Sequence, residues 1–414
     1  AITEVHLGCT REEQLRWFHE AWNAVQELRA ENVDVRAITA WSLLGSYDWN
    51  SLLTRFSGHY EPGVFDLRSE FPRPTAIAKM VQDLAKGEKS NHPVLEMAGW
   101  WRREERLLYP AVSRSNFEFP PAPLDKGGDR MLNSLVSSVV IVGATGTLGK
   151  AFARLCERRG ITYRLLSRRE MDITNPTSID AVLAELKPWA VINAAGYVRV
   201  DDAETEPDVC LQVNTEGAKN LAVSCARHNV AFVTFSSDLV FDGTVVNPYV
   251  ENNPVAPLNV YGRSKALAEK RVLEVNPASL VIRTSAFFGP WDDYNFVTIA
   301  LRQLSAGKTF TAAFDSTVSP TYVPDLVNTS LDLLIDGESG LWHLANVGAI
   351  SWADLARITA KRAGVSSSSL IALPTKELGF AAPRPSYSVL GSNRGELLPT
   401  LDFAIERYFQ EVNC

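Results

Sequence analysis

Cysteine is scarce in this sequence. The five residues, Cys9, Cys156, Cys210, Cys225 and Cys414, are scattered and odd in number, with no CxxC pair. That spacing argues against a disulfide scaffold and a zinc ribbon, and no His, Cys and Asp cluster has metal-ligand spacing, so no metal is expected. Long hydrophobic runs are also missing. Nothing approaches the ~20 apolar residues that span a bilayer, and no charged-then-apolar leader opens the chain. A soluble protein of the reducing cytoplasm, without a membrane partner, is expected. Basic runs are absent too: 41 Lys and Arg stand against 48 Asp and Glu, a net charge of -7, which argues against nucleic acid as the main partner. There is no internal repeat, and low complexity is confined to the serines at 366–369.

What is present is enough apolar material, 46% of 414 residues, for two or three domains with buried cores. From Ser138 onward, "SVVIVG", "TYRLLS", "WAVINAA", "VAFVTFSS", "SLVIRTS" and "GLWHLAN" are short and rich in β-branched residues, and most are separated by room for a crossover helix. This pattern predicts an α/β fold over 138–414: a doubly wound parallel sheet of Rossmann type with helices on both faces. Residues 1–90 differ. A strand at "AITEVH", a helix with Thr10 and Glu13 as a capping box, a strand at "VDVRAITAWSLL" and a helix at "PTAIAKMVQDLAKG" predict a βαβα fragment. Leu15, Phe18, Trp22 and Val25 give the first helix one apolar face. Residues 91–137 read as a linker in which Trp100, Trp101 and Leu107 could dock on a neighbour.

The turn "GATGTLG", with Gly143, Thr145, Gly146, Thr147, Leu148 and Gly149, follows a strand and opens a helix. Such glycines allow a tight turn, close approach of a pyrophosphate and helix–strand packing, while helix amides attract phosphate. At the end of the next strand, "LLSRREMD" offers Arg168 and Arg169 and no acid at the strand tip, which permits NADPH; NADH stays possible, and two solvated surface arginines explain the same letters. "YGRSK" puts Tyr261 and Lys265 on one helix face, where an ammonium is expected to lower the phenol's pKa; an ordinary amphipathic helix is the alternative. Ser237, in "FSSDLVFDG", would share the same substrate oxygen. The order of glycine turn, serine and YxxxK is what makes the set chemically specific.

With "MDITNPTSI", "VINAAGYVRVDDAETEPDVCLQVNTEGAKNLA", "VIRTSAFFG", "NFV", "DSTVSPTYVPDL" and "RPSYSVL" added in order, residues 138–414 resemble the dTDP-4-dehydrorhamnose reductase family of extended short-chain dehydrogenases/reductases. The resemblance implies that Ser237, Tyr261 and Lys265 are catalytic. It implies that Thr147, Leu148, Arg168, Asp172, Ile173, Ala194, Ala195 and Tyr197 line the cofactor, with Lys265 able to hold the nicotinamide ribose. Asp238, Asn295 and Phe296 would face a nucleotide-sugar substrate. The implied reaction is hydride transfer to the C4 ketone of a nucleotide-linked 4-keto-6-deoxyhexose. Leu239 stands where related dehydratases carry a glutamate, which favours reduction. Two departures touch sugar recognition: Leu239 replaces the family's usual tyrosine and Ala286 its tryptophan. A non-catalytic regulatory subunit and an epimerase remain alternatives.

The front segment, through "AITEVHLG", "WSLLGSYDW" and "RFSGHY", resembles the last two βα units of family 1 glycoside hydrolases. By that resemblance Glu4 matches the nucleophile and Asp48 a sugar-gripping acid. A retaining glycosidase needs two carboxyl groups about 5 Å apart, and the partner's strand is not in this sequence. No glycoside hydrolysis is expected. The sequence is expected to be part of a longer fusion whose earlier barrel portion is missing, with a docking lobe that has lost its chemistry as the alternative.

Overall fold

The computed structural model describes residues 1–51, 54–55, 58–103 and 137–412. Most of the expected linker, with Leu107, lies outside the described residues.

The expected parallel sheet is present. Its strands are β3 (Val139–Val142), β4 (Tyr163–Leu166), β5 (Ala190–Asn193), β6 (Ala231–Ser237), β7 (Leu280–Thr284) and β9 (Gly340–His343), in the order β9-β7-β6-β5-β3-β4, all parallel. The β-branched runs become central strands because both faces are covered: Val139 and Ile141 enter one apolar layer, Val140 and Val142 the other. The crossovers include α3 (Thr147–Arg159), α4 (Pro176–Leu186), α5 (Pro207–Leu211), α6 (Ala218–His228), α7 (Val260–Val275) and α9 (Val323–Asp336). Helix α4 illustrates the local logic. Asn175 accepts from the N–H groups of Thr177 (3.0 Å) and Ser178 (3.4 Å), and Pro176 occupies the first turn, where it needs no donor. Beyond β7, helices α8 (Phe296–Ser305) and α10 (Trp352–Arg362) pack with a parallel pair, β8 (Phe310–Ala313) and β10 (Leu370–Leu373), around a smaller core, and α11 (Leu401–Val412) closes the described chain.

In the front segment β1 (Ile2–Val5) pairs in parallel with β2 (Ile38–Ala40) across helix α1 (Arg11–Ala30). The second strand is shorter than expected. The residues after it form two small antiparallel pairs, Ser46–Tyr47 with Tyr60–Glu61 and Phe65–Asp66 with Arg73–Pro74, before α2 (Ala76–Ala85). The capping box does not form. Thr10 donates its hydroxyl to Glu12 and caps no N–H, while Glu13 pairs with Arg16 and Arg103 and accepts from the Trp100 N–H (3.1 Å). The apolar face of α1 is as expected: Leu15, Phe18 and Val25 are buried, and Trp22 packs against the core. Trp101 docks on this helix, its ring 4.8 Å from that of Trp17 and its Nε1 donating to Glu20 at 2.9 Å.

Candidate active site

Strand order reverses between β3 and β5, and a crevice at such a switch point is where open parallel sheets bind ligands. The glycine turn leaves β3 there. Gly143 has φ 110°, and a Cβ on it would lie 2.8 Å from the Ala194 carbonyl on the loop after β5; a Cβ on Gly149 would lie 2.2 Å from the Gly143 oxygen. Both glycines are demanded by the protein's own packing. Gly146 is not: its Cβ would meet its nearest neighbour, Gly143 O, at an ordinary 3.6 Å. Room remains beside this backbone at the first turn of α3, which is what a bound pyrophosphate requires.

The other expected cofactor residues divide by what their side chains do. Thr145 is exposed and Thr147 opens α3. Arg168 is 76% exposed and pairs with Asp172 at 3.3 Å, while Asp172 also accepts from the Thr174 hydroxyl (2.7 Å). Arg169 is exposed. Glu170, just past the strand tip, is occupied by the Ser167 N–H (2.7 Å) and hydroxyl (2.6 Å). Leu148, Ile173 and Tyr197 are buried in apolar clusters. The Tyr197 hydroxyl donates to Glu206 at 2.7 Å. Ala194 and Ala195 form the loop on the other wall, the Ala195 N–H donating to Asn193 Oδ1 at 3.2 Å.

One strand over, β6 ends at Ser237. Its hydroxyl donates to Asp238 Oδ1 (3.1 Å) and accepts from the Leu239 N–H (3.2 Å). Helix α7 is capped by Asn259, whose Oδ1 accepts from Gly262 N (2.7 Å) and whose Nδ2 donates to Pro383 O (2.8 Å). The cap sets the register that brings Tyr261, Lys265 and Glu269, spaced by four, to the end of β6. The structure thus brings Ser237, Tyr261 and Lys265 together: Lys265 Nζ donates to the Phe235 carbonyl (3.1 Å) and lies 5.8 Å from the centre of the Tyr261 ring.

Electrostatics here differ from the sequence-based expectation. Burial raises the Tyr261 phenol well above its ordinary value, the Asp238 carboxyl adds to that, and the neighbouring Ser237 hydroxyl opposes it. Burial also lowers Lys265 to about 8, against the opposing influence of Cys210 and Glu269. The ammonium is directed at a backbone carbonyl and not at the phenol oxygen, and burial decides the sign of the phenol's shift. Asp238 is buried, 6% exposed, and desolvation raises its pKa although the Ser388 (2.6 Å) and Ser237 (3.1 Å) hydroxyls donate to it.

Two expected substrate residues are committed elsewhere. Asn295 caps α8, accepting from Thr298 N (3.0 Å) and donating to Asp292 O (2.7 Å) and Thr298 Oγ1 (2.9 Å). Phe296 is half-buried and packs against Trp352 (ring centres 4.7 Å apart) and Phe310 (5.3 Å). Ala286, with φ 40°, holds a left-handed backbone that favours glycine.

Two supports escaped the sequence reading. A π-turn at Gln212–Gly217 presents buried Asn214, which accepts from Tyr197 N (2.8 Å) and donates to Tyr197 O (3.0 Å) and Ser264 Oγ (2.9 Å); Ser264 in turn donates to Tyr261 O (2.7 Å). The polar pair Asn214-Thr215 inside a helical pattern was the available signal. Behind the site, Arg283 on β7 grips Glu269 with two bonds, 2.8 and 2.6 Å, and Ser236 Oγ donates to the same carboxylate at 2.5 Å. The buried pair ties α7 to β7, and the Ser236 bond ties it to β6, the strand that carries Ser237.

In the front segment Glu4 is exposed, its N–H donating to Thr39 Oγ1 (3.1 Å), and Asp48 is buried, accepting from His59 N (3.1 Å) and Gly58 N (3.4 Å). Among the described residues no group of three or more His, Cys, Asp or Glu could hold a metal ion, and no helix is long and apolar enough to cross a membrane.

A glycine turn at the switch point with serine, tyrosine and lysine at the adjoining strand end is the layout of a short-chain dehydrogenase/reductase. More narrowly, residues 137–412 match the family described as RmlD substrate binding domain, and the chain belongs to that family. It is 34% identical to the dTDP-4-dehydrorhamnose reductase of Streptomyces griseus over 263 residues, 62% of this chain and 86% of that protein. It is 31% identical to the spore coat polysaccharide biosynthesis protein SpsK of Bacillus subtilis, over 62% of this chain and 89% of that protein. The solved dTDP-4-dehydrorhamnose reductase of Bacillus anthracis, in complex with NADP, is similar at TM-score 0.63 and 32% identity, covering 66% of this chain and 99% of that one. Residues 1–136 lie outside the family match.

Proposed function

We propose that residues 138–414 reduce the C4 ketone of a nucleotide-linked 4-keto-6-deoxyhexose with NADPH, using Ser237, Tyr261 and Lys265. The observation that carries this reading is the Ser237 hydroxyl beside the Tyr261 phenol at the carboxyl end of β6, next to the switch-point crevice. Its family setting supports it: two of the three similar proteins are named as dTDP-4-dehydrorhamnose reductases, and one of these was solved with NADP.

The turn at Gly146 and the first amides of α3 would hold the pyrophosphate, and the exposed Arg168 and Arg169 would meet a 2′-phosphate, with NADH as the weaker alternative. NADPH supplies a hydride to the carbonyl carbon. The protein's part is the proton. Ser237 donates a hydrogen bond to the carbonyl oxygen, and Tyr261 transfers its proton as that oxygen gains negative charge. The raised phenol pKa suits this direction: the group stays protonated at rest and yields its proton only to a strongly basic developing alkoxide. Lys265, still mostly charged at neutral pH, offers the positive charge that steadies the phenolate left behind. Leu239 and Ala286 remove an aromatic wall from the sugar side, so the preferred hexose should differ from that of relatives that keep those rings.

Residues 1–90 contribute no glycoside hydrolysis in this reading, because Asp48 is occupied by backbone donors. The unpaired thiols at Cys9, Cys156, Cys210 and Cys225 favour a reducing cytoplasm.

The test is to add dTDP-4-keto-6-deoxyhexose to protein and NADPH and follow the nicotinamide absorbance. Loss of the signal with an alcohol product supports reduction. Tight NADPH binding without oxidation by any nucleotide 4-ketosugar would instead favour a regulatory subunit. Cofactor kept through purification, with no net consumption, would favour an epimerase.

A further inference from the structure

The front segment meets the reductase domain mainly on the face made by α3 and α9. The contact is partly apolar: Leu15 and Phe18 of α1 and Met80 and Leu84 of α2 share a buried cluster with Phe152 and Cys156 of α3 and Val327, Leu331 and Leu334 of α9. It is also ionic, which is unusual for a buried surface. Glu12 pairs with Arg159 at 2.5 Å, the two side chains 0% and 2% exposed, and Arg159 reaches on to Asp332 at 2.7 Å. Arg11 and Arg73 both pair with the fully buried Asp336, at 2.9 Å each, and Arg73 extends to Glu338 at 3.1 Å.

Backbone groups join in from both sides. Asp336 Oδ1 accepts the Ala76 N–H at the start of α2 (2.7 Å), Arg16 donates to Gly160 O (3.2 Å), and Arg68 donates to Leu397 O (2.7 Å). A surface that two independent lobes merely touched would leave such charges in water. Here each side supplies the counter-charges that the other buries. The solved Bacillus anthracis reductase is covered over 99% of its length by 66% of this chain, a share matching the reductase part alone, so that protein has no room for a counterpart of residues 1–103.

We infer that residues 1–103 are the resident partner of the α3/α9 face, and that the two parts form one cooperative folding unit instead of two tethered domains. The reductase domain of this chain has exchanged an autonomous surface for an internal interface. The inference is independent of the proposed activity, since it concerns stability and association alone.

Two experiments on the full chain test it. The first is hydrogen exchange with the variant Glu12→Lys, which sets a cation against Arg159. Cooperative parts predict that amides of α1 and of the unmutated α9 (323–336) exchange faster together, by roughly a hundredfold or more. Faster exchange confined to α1, with α9 still protected, would overturn the inference. The second leaves every interface side chain intact: a protease site is placed between residues 104 and 136, and the cut protein is run on gel filtration at micromolar concentration. Co-elution of the two pieces supports the inference, and their separation overturns it.

Discussion

Lys265 Nζ donates to the Phe235 carbonyl at 3.1 Å while lying 5.8 Å from the centre of the Tyr261 ring. The catalytic lysine is thus anchored to the end of the same strand that carries Ser237, within electrostatic reach of the phenol yet not bonded to it. Burial holds its pKa down at about 8.

The first prediction follows from that value. Lys265 is cationic below about pH 8 and loses its proton above it, so kcat should fall as pH rises through about 8. The stability sign is the reverse. The unfolded lysine binds its proton more tightly, so burying the charged form costs stability below about 8, and that cost is relieved as pH climbs from about 8 toward the unfolded value. Lys265→Met should therefore lose activity yet raise Tm by roughly 2–4 °C, about 1 kcal/mol. A lower Tm in a thermal melt would show that the ammonium is a net stabiliser.

A second prediction concerns the buried pair behind the site. Arg283→Met leaves the Glu269 carboxylate buried without its cation, one helical turn from Lys265. Stability should drop by about 3–5 kcal/mol. Where the variant still folds, the alkaline limb of the pH–rate profile should move upward, because the freed carboxylate favours the charged lysine. A change in stability with an unmoved limb would make the pair a purely structural brace.

The third separates capping from substrate contact. Asn295→Ala removes the side chain that holds the first turn of α8, and should cost about 1 kcal/mol in chemical denaturation. KM for the sugar nucleotide should change less than about threefold. A tenfold rise in KM with unchanged stability would return Asn295 to the substrate pocket.

The sequence revealed most where the signal was local. The central strands were legible because they are β-branched runs buried on both faces, and the Ser237, Tyr261 and Lys265 cluster because its members come in a fixed order along the chain. What stayed hidden depended on distant partners. The direction of the Tyr261 shift is set by burial and by Asp238, which is itself tied to Ser388. Glu12 and Arg11 look like solvent-facing helix charges until Arg159 and Asp336 arrive from across the chain. Phe296, which the resemblance alone put on the sugar side, packs against Phe310 and Trp352, partners that nothing local in the sequence announces.

The most direct test of the mechanism compares the wild-type protein with Tyr261→Phe in a single-turnover assay of NADPH oxidation, alongside NADPH affinity measured by titration. A phenol that supplies the proton predicts a rate reduced by roughly 10²–10⁴-fold with affinity nearly unchanged. Turnover at the wild-type rate without that hydroxyl would contradict the account.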